Sequence, residues 1–280
     1  MHEGSALHLL DNDIAQRISL VFFSFICWSL LFLAIYSRPT SMRIKTKAEQ
    51  GKIGVRTHRS ELATRLVAGI HATLVSIGAA SFVFFRKDSN LYVKYLLEPL
   101  TWPSFTTFNE DAIFYACVSA GFFIADFILC VVQWEEQGTE FVIHAAAGLS
   151  GCLFCLLFGE GLLYLMLLML FEVSTPFLHF RWWLLEYGFK DSIIYIVNGL
   201  FLVFSFTIFR LVIGTSVLLR MVYELHTPPE MDRHGLPMRI IFTIAPLTMI
   251  YLNTTWGILL WKGFLKALGV VKSTSKTKHE

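Results

Sequence analysis

Five polar side chains interrupt long apolar stretches of this 280-residue chain: Asp126, His144, Glu172, Asn198 and Asn253. A polar or ionisable group within apolar sequence is costly if that sequence lies in a bilayer, so each is a candidate functional residue. A histidine near a carboxylate can act as a general base, and it can equally be a neutral hydrogen-bonding strut. The residue types therefore indicate either proton transfer or hydrogen bonding to a ligand or a neighbouring helix.

The composition indicates that a bilayer surrounds these residues. The chain is 55 % apolar and 15 % aromatic, has a mean hydropathy of +0.59, and contains only 16 % charged residues. A soluble domain of this size carries roughly 25 % charged residues. The net charge of +2 gives no reason to expect a nucleic-acid partner. The sequence predicts an all-α, polytopic integral membrane bundle.

About seven apolar runs are long enough to cross a bilayer as helices, which requires roughly 20 residues each. Helix is the expected conformation because every backbone group in lipid needs an internal partner, and the runs lack the alternation of a barrel strand. The fourth and fifth runs are separated only by residues 159–161, which predicts a tight hairpin. The predicted spans lie near residues 18–36, 62–85, 112–134, 141–158, 161–178, 193–213 and 240–261.

The distribution of Lys and Arg predicts the orientation. With the N-terminus in the lumen, the cytosolic segments carry 14 of these residues and the opposite segments carry 7. This twofold bias follows the positive-inside rule. The first apolar run is followed by Arg38, Arg43, Lys45 and Lys47, whereas a signal peptide has its positive charge first. We therefore expect a lumenal N-terminus, a retained first span and a cytosolic C-terminus.

In this orientation the polar side chains lie at similar depths in the cytosolic half. With a rise of about 1.5 Å per residue, His144 lies roughly 5 Å from the cytosolic ends of the spans, Glu172 roughly 9 Å and Asp126 roughly 12 Å. Asn198 and Asn253 fall in the same layer. Arg65 begins the second span, and His71 lies roughly 14 Å inside it.

Two interpretations of this layer remain open. The groups could pair with one another and hold the bundle together, which suits Asn198 and Asn253 best. They could instead line a cytosol-facing cavity that binds a lipid head group or an acyl donor, with Asp126, His144 and Glu172 as its central residues. Arg210 is expected near the lumenal end of its span, with its head group reaching the interface.

Lys278 and Lys276 are the third and fifth residues from the C-terminus. Such a pair resembles the dibasic retrieval signal of endoplasmic reticulum membrane proteins, which a coat protein could recognise, although a solvated basic tail has the same composition.

We expect a lumenal tail over residues 1–17, a first span and basic loop over 18–55, a helical membrane domain over 56–266, and a cytosolic tail over 267–280. Oligomeric state is not indicated by the sequence.

Other protein classes fit less well. The sequence contains no Gly-rich phosphate loop, no H-E-x-x-H, no G-x-S-x-G and no His-rich cluster with metal-ligand spacing. We therefore predict no metal and no cofactor. Cys152 and Cys155 form a C-x-x-C within apolar helix, where helix packing is the expected role. A seven-helix receptor is disfavoured because the third span ends in Val132-Gln133-Trp134-Glu135-Glu136 and the seventh lacks an Asn-Pro pair.

Five short motifs, in order, resemble those of the TLC domain family (TRAM, longevity-assurance and ceroid-lipofuscinosis proteins). Individually each is weak, and together they extend over roughly residues 56–266. The motifs are Arg65 with His71-Ala72, Ser119-Ala120-Gly121-Phe122-Phe123-Ile124-Ala125-Asp126, Val142-Ile143-His144, Glu172-Val173-Ser174-Thr175-Pro176-Phe177 with Arg181-Trp182, and Asn198-Gly199 followed by Phe206 and Arg210.

The resemblance implies a helical membrane fold and work on lipids, with Arg65, His71, Asp126, His144, Glu172, Arg181 and Asn198 as lipid-binding candidates. Ceramide synthases of this family are acyl-CoA-dependent N-acyltransferases with a paired histidine. Here His144 matches the first histidine, but Ala145 occupies the second position, and the acidic motif retains only Glu172. The resemblance is closer to the branch with the S-T-P-F motif, which implies membrane lipid homeostasis.

Three functions follow, in order of preference. The first is a lipid-handling protein of the endoplasmic reticulum that binds, senses or moves a membrane lipid. The second is an N-acyltransferase acting on a sphingoid base or related lipid amine, with acyl-CoA as co-substrate, His144 as general base and Asp126 or Glu172 orienting it. The third is a structural or cargo-sorting protein, for which the Lys276/Lys278 tail would matter more than the polar layer.

Overall fold

A computed structural model describes residues 3–38, 55–85, 110–228, 231 and 235–267, and every regular element in these ranges is helical. Lys276, Lys278 and most of the predicted tail and first loop lie outside the described residues. The α-helices are Glu3–Tyr36, Val55–Ala80, Glu110–Val132, Trp134–Gln137, Thr139–Phe158, Leu162–Met169, Thr175–Glu186, Ile193–Ser205, Thr215–Leu225 and Leu236–Ala267. A 3-10 segment covers Leu170–Ser174, and π-helical segments cover Ser81–Phe85 and Phe206–Gly214.

Within the described ranges, seven helical stretches are long and apolar enough to cross a bilayer, which confirms the predicted helical membrane bundle. In chain order, these seven spans are Asp13–Tyr36, His58–Phe85, Glu110–Val132, Thr139–Phe158, Leu162–Glu186, Ile193–Leu225 and Leu236–Lys266.

The sixth span is about three turns longer than the predicted 193–213. Its extra helix, Thr215–Leu225, is amphipathic rather than uniformly apolar, with Val217, Leu218, Met221 and Leu225 buried at helical spacing. The sequence is no longer uniformly apolar where such a helix begins, so hydropathy alone places the end of the span too early. The buried face of the helix nevertheless continues the core. The extension places every residue of this span farther from its C-terminal end, while the start at Ile193 is as predicted.

The fourth and fifth spans form the expected tight hairpin. Gly159 and Gly161 both adopt left-handed backbone conformations, with φ of 69° and 72°. Glycine adopts this conformation without the Cβ penalty of other residues, so two glycines around Glu160 allow the chain to reverse within three residues. The fifth span then enters the centre of the bundle, where every residue from Leu162 to Leu167 is buried.

The first span packs against the third through one shared carbonyl oxygen. Ser24 Oγ and Trp28 Nε1 both donate to the Val118 oxygen, at 2.9 and 3.3 Å. The helices approach so closely at Gly121 that a Cβ there would lie 2.5 Å from Ser24 Oγ and 2.6 Å from the Phe25 backbone nitrogen. Small residues at such a crossing allow the backbone contact that helix association in lipid requires.

We expect Gly121→Ala to displace the first span and to lower the free energy of unfolding by about 1–3 kcal/mol, the usual cost of overpacking. Equilibrium unfolding of the full chain in mixed micelles measures the change. Gly263→Ala is the matched control, because a Cβ at that helical glycine meets no atom within 4 Å. Equal stability of the two variants would contradict the packing described for Gly121.

Candidate functional site

An arginine lies at the centre of the bundle. Arg210 is 6 % exposed, and its Nε donates to the Phe171 carbonyl oxygen at 2.9 Å and to Ser174 Oγ at 3.1 Å. Its Nη2 donates to Thr175 Oγ1 at 3.0 Å and faces Glu172 Oε1 at 3.5 Å. The expectation that Arg210 reaches the membrane interface was wrong, because the sixth span continues to Leu225 and places Arg210 mid-span.

Pro176 explains why the fifth span can accept this arginine. Proline has no N–H to donate to the carbonyl of Glu172, and the helix tightens there into the 3-10 segment, in which the Thr175 N–H bonds to Glu172 instead. The Phe171 carbonyl therefore loses its usual α-helical donor, which would be the Thr175 N–H, and accepts from Arg210. The Ser174-Thr175-Pro176 sequence thus provides the acceptors for Arg210: the two hydroxyl groups and the Phe171 carbonyl.

The sixth span supplies the arginine from a π-helical segment, a local widening that is frequent at functional sites. Gly214 ends this segment directly against the fifth span, because a Cβ there would overlap the ring of Phe171. The seventh span joins through Asn253, which is 1 % exposed and accepts from Arg210 Nη1 at 3.4 Å. Asn198 Nδ2 donates to the Phe177 oxygen at 2.9 Å, so both asparagines bond to a neighbouring span.

A cavity of about 130 Å³ lies beside this network, and Glu172 belongs to both. His71, Ser119, His144 and Glu172 form its polar end. The remainder of its wall is mostly apolar and comes from the second to seventh spans. That wall includes Val75, Phe123, Gly151, Phe154, Leu165, Leu168, Met169, Leu218, Met221, Leu225, Phe242 and Met249.

The two cavity histidines differ in their contacts. His71 is 2 % exposed, has its Nε2 3.2 Å from Ser119 Oγ, and stacks on Phe122 with ring centroids 3.8 Å apart. His144 lies edge-on to Phe123 and Trp256, with centroids 6.3 and 5.9 Å away. Its Nδ1 is buried and has no hydrogen-bond partner among the described residues. His71 is therefore held by the protein, whereas His144 lines the cavity without a hydrogen bond to any described residue.

The structure brings together only part of the predicted site. Asp126 does not line this cavity, although it was expected to share one with His144 and Glu172. It lies two helical turns beyond Ser119, roughly 10 Å along the third span, and lines a separate cavity. Asp126, His144 and Glu172 were predicted at similar depths in the membrane, but similar depth did not place all three in one cavity.

Arg65 and Arg181 are also outside the central cavity. Arg65 pairs with Glu61 at 2.7 Å and lies over the Trp182 ring at 4.7 Å, while Arg181 lies over Tyr195 at 4.1 Å. These contacts link the second, fifth and sixth spans, near the end of the bundle that contains residues 133–138 and 187–192. Both residues contact protein groups there, and their predicted lipid contacts remain a prediction.

The cavity extends away from that end. Its wall continues to Gly161 and Tyr164, beside the 159–161 hairpin, and to Leu225 at the end of the sixth span. In the predicted orientation this is the lumenal half of the bundle. His144, at the polar end, lies five residues from the start of the fourth span, which is cytosolic in the same orientation, so the orientation and the cytosol-facing opening both stay predictions.

Comparison with known proteins agrees with the helical bundle and its motifs. A family model described as the TLC domain matches residues 61–262, which fall within the predicted domain of 56–266. The chain belongs to the TLC domain family. The matched segment includes the second to seventh spans, and thus the Arg210 network and the central cavity, and excludes the first span.

Three relatives of this chain are named as TLC domain-containing proteins. It is 31 % identical over 155 residues to TLC domain-containing protein 4-B of Xenopus laevis, covering 54 % of the chain and 58 % of that relative. It is 25 % identical over 157 residues to TLC domain-containing protein 4 A of Dictyostelium discoideum, covering 55 % and 59 %. TLC domain-containing protein 4 of Homo sapiens is 24 % identical over 275 residues, covering 94 % and 95 %. The chain thus spans less than two thirds of the first two relatives.

The sequence predicted that Arg210 reaches the membrane interface, which was wrong. Ser119 and Tyr164 were not among the predicted site residues. Arg210 could have been found from the extended helix, since an arginine mid-span needs a carboxylate partner and Glu172 is at the corresponding depth. Ser119 begins the Ser119–Asp126 motif but was not predicted as a site residue, and Tyr164 carries no comparable signal. Among the described residues, no group of three His, Cys, Asp or Glu side chains could hold a metal ion.

We expect Arg210→Met to lower the free energy of unfolding by about 3–5 kcal/mol, because it leaves Glu172 buried without its cation. Adding Glu172→Leu should recover part of this loss, as equilibrium unfolding in mixed micelles would show. Arg65→Met is the control and should cost at most about 1 kcal/mol, because the Arg65–Glu61 side chains are 29 % and 33 % exposed. A double variant with no recovery would contradict the direct coupling of Arg210 and Glu172.

Proposed function

We propose that this chain is a lipid-handling protein of the endoplasmic reticulum membrane that binds one acyl chain of a membrane lipid in the central cavity and so acts in lipid homeostasis. The observation that carries the proposal is a mostly apolar cavity wall with His71, Ser119, His144 and Glu172 grouped at one end. Apolar pockets with a few convergent polar groups are the usual form of small-molecule sites.

The electrostatics of the polar end favour an uncharged ligand group. Glu172 already faces the Arg210 guanidinium and accepts from Thr175 Oγ1 at 2.7 Å, so this end contains a compensated ion pair. A charged head group would need a further partner there, because burying an unpaired charge is costly. An ester or amide carbonyl, which can accept a hydrogen bond from His144, fits this end better than a phosphate or an ammonium.

A second function, acyl-CoA-dependent N-acyl transfer to a sphingoid base or related amine, is supported by the presence of His144 and Glu172 on the same cavity wall. A general base is normally oriented by a carboxylate or another acceptor on its second nitrogen. No such hydrogen bond to the His144 ring occurs within the described residues. We therefore place lipid binding first and acyl transfer second.

We expect the full chain, purified in mild detergent, to retain an acyl lipid, and Gly151→Phe to reduce the bound lipid at least about tenfold by occupying the cavity. Gly151 lines the cavity, and a Cβ there meets no atom within 4 Å, so the added ring displaces no neighbour through that atom. Extraction and mass spectrometry measure the lipid per mole of protein. Gly263→Phe is the matched control, because Gly263 is as open and is not part of the cavity wall.

Equal lipid retention by Gly151→Phe and Gly263→Phe would overturn the binding proposal. The acyl-transfer alternative is tested in microsomes that contain wild type, His144→Ala or Glu172→Gln at matched levels, with labelled sphingoid base and acyl-CoA. Labelled amide that forms with wild type and disappears with His144→Ala would establish it. Lipid retention with no labelled amide in any sample would leave binding as the function.

We also propose that the Lys276/Lys278 pair retains the chain in the endoplasmic reticulum through recognition of a cytosolic C-terminus. Changing both lysines to serine should move a tagged full-length chain to later compartments, as fluorescence colocalisation would show, with Lys262→Ser/Lys266→Ser as the charge-matched control. Unchanged localisation would contradict the retrieval signal. If lipid profiles respond to the tail variant and not to Gly151→Phe, the structural or cargo-sorting function replaces lipid binding.

A further inference from the structure

A second cavity lies between the first three spans. It has a volume of about 240 Å³ and is walled by the first span together with one face of the second and third. Trp28 and Phe122 belong to its wall, and Phe122 stacks on His71, which lines the central cavity. The His71–Phe122 pair therefore separates the two cavities.

Three polar side chains line the second cavity: Ser29, Thr64 and Asp126. Asp126 lines it, and none of the described residues gives its carboxyl group a hydrogen bond or an ion pair. Thr64 lines it as well, and its buried Oγ1 has no hydrogen-bond partner within the described ranges. Asp126 is half-buried, whereas Thr64 Oγ1 is fully buried. Because a buried hydroxyl without a partner is rare in native proteins, Thr64 together with the unpaired Asp126 carboxyl indicates a ligand that bonds to both.

The chemistry of the two groups selects the polar part of that ligand. No Lys, Arg or His lines this cavity, so nothing there compensates a charge on Asp126. A carboxyl in such surroundings is best satisfied by a neutral group that can both donate and accept. A single hydroxyl meets this condition, since it can donate to Asp126 and accept from Thr64.

The walls select the apolar part. Phe25, Trp28, Phe32 and Phe122 present aromatic rings, and Trp28 is fixed by its bond to the Val118 oxygen and by edge-on packing against Phe122 at 5.8 Å. Such rigid surfaces suit a rigid body better than a flexible chain, because a rigid ligand loses less conformational entropy on binding. Leu33 and Ile128 on the wall are 55 % and 47 % exposed, so the cavity is reached laterally from the lipid.

We propose that the cavity between the first three spans binds a sterol, whose single hydroxyl bonds to Asp126 and Thr64 while its ring system lies against Trp28, Phe32 and Phe122. This site is separate from the central cavity and does not depend on the function proposed for it. It requires the first span, which lies outside the TLC-domain match.

The test uses the full chain in phosphatidylcholine vesicles with a photoreactive, alkyne-bearing sterol. Cross-linked peptides identified by mass spectrometry should come from the first and third spans, and excess unlabelled sterol should remove the signal. Ala125→Phe, which fills the cavity, should abolish labelling, and Thr64→Val, which is nearly isosteric, should reduce it about fivefold for one lost hydrogen bond. Asp126→Leu should reduce labelling further, and Asp126→Asn, which keeps a donor and an acceptor, should retain most of it.

Gly263→Phe is the control for a bulky substitution elsewhere and should label like wild type. Monodisperse elution of each variant shows that it is folded, and the peptide map of wild type tests the site without any variant. Labelled peptides confined to the fourth to seventh spans would overturn the proposal. Labelling that is unchanged in Ala125→Phe and Thr64→Val would also overturn it. A third contradicting outcome is that a photoreactive long-chain amine labels these peptides and the sterol does not.

Discussion

A cation buried in the membrane must be neutralised from within the bundle, and the arrangement of the last three spans follows from this requirement. Arg210 is buried, and Glu172, Ser174, Thr175 and the Phe171 carbonyl surround its guanidinium group. Phe171, Ser174 and Thr175 share one helix face, and the Phe171 carbonyl loses its α-helical donor because the fifth span departs from regular α-helix there. Pro176 and the 3-10 segment provide that departure, and the π-helical segment of the sixth span positions the arginine opposite.

The same ion pair determines the character of the central cavity. Glu172 uses one face for Arg210 and Thr175 and contributes to the cavity wall with the rest of its side chain. The polar end is therefore a compensated environment rather than a bare carboxylate beside two histidines. This favours recognition of an uncharged polar group, and the apolar wall towards the 159–161 hairpin favours an acyl chain behind it.

The first span has a different relation to the bundle. It attaches to the third span through the Val118 carbonyl and the close approach at Gly121, and only a small part of its surface is buried. Its contribution is to complete a second cavity, where it supplies Trp28 and Phe32 opposite Asp126. Gly121 and Asp126 belong to one sequence motif and have different roles. Gly121 allows the two helices to pack closely, and Asp126 places a carboxyl group in the cavity wall.

The amino-acid sequence by itself determined the helical membrane class, the seven spans, the hairpin at 159–161 and the TLC family, because hydropathy, glycine content and short motifs are local properties. It also identified His144 and Glu172, since ionisable residues in apolar sequence are conspicuous. Only the tertiary structure decided that Arg210 pairs with Glu172, that Asp126 lines another cavity, and that the central cavity extends towards the hairpin. These outcomes depend on helix rotation, on the amphipathic extension of the sixth span and on the irregular segments at Pro176 and Arg210. Depth along a helix can be counted from sequence, whereas the direction in which a side chain points across the bundle is set by packing.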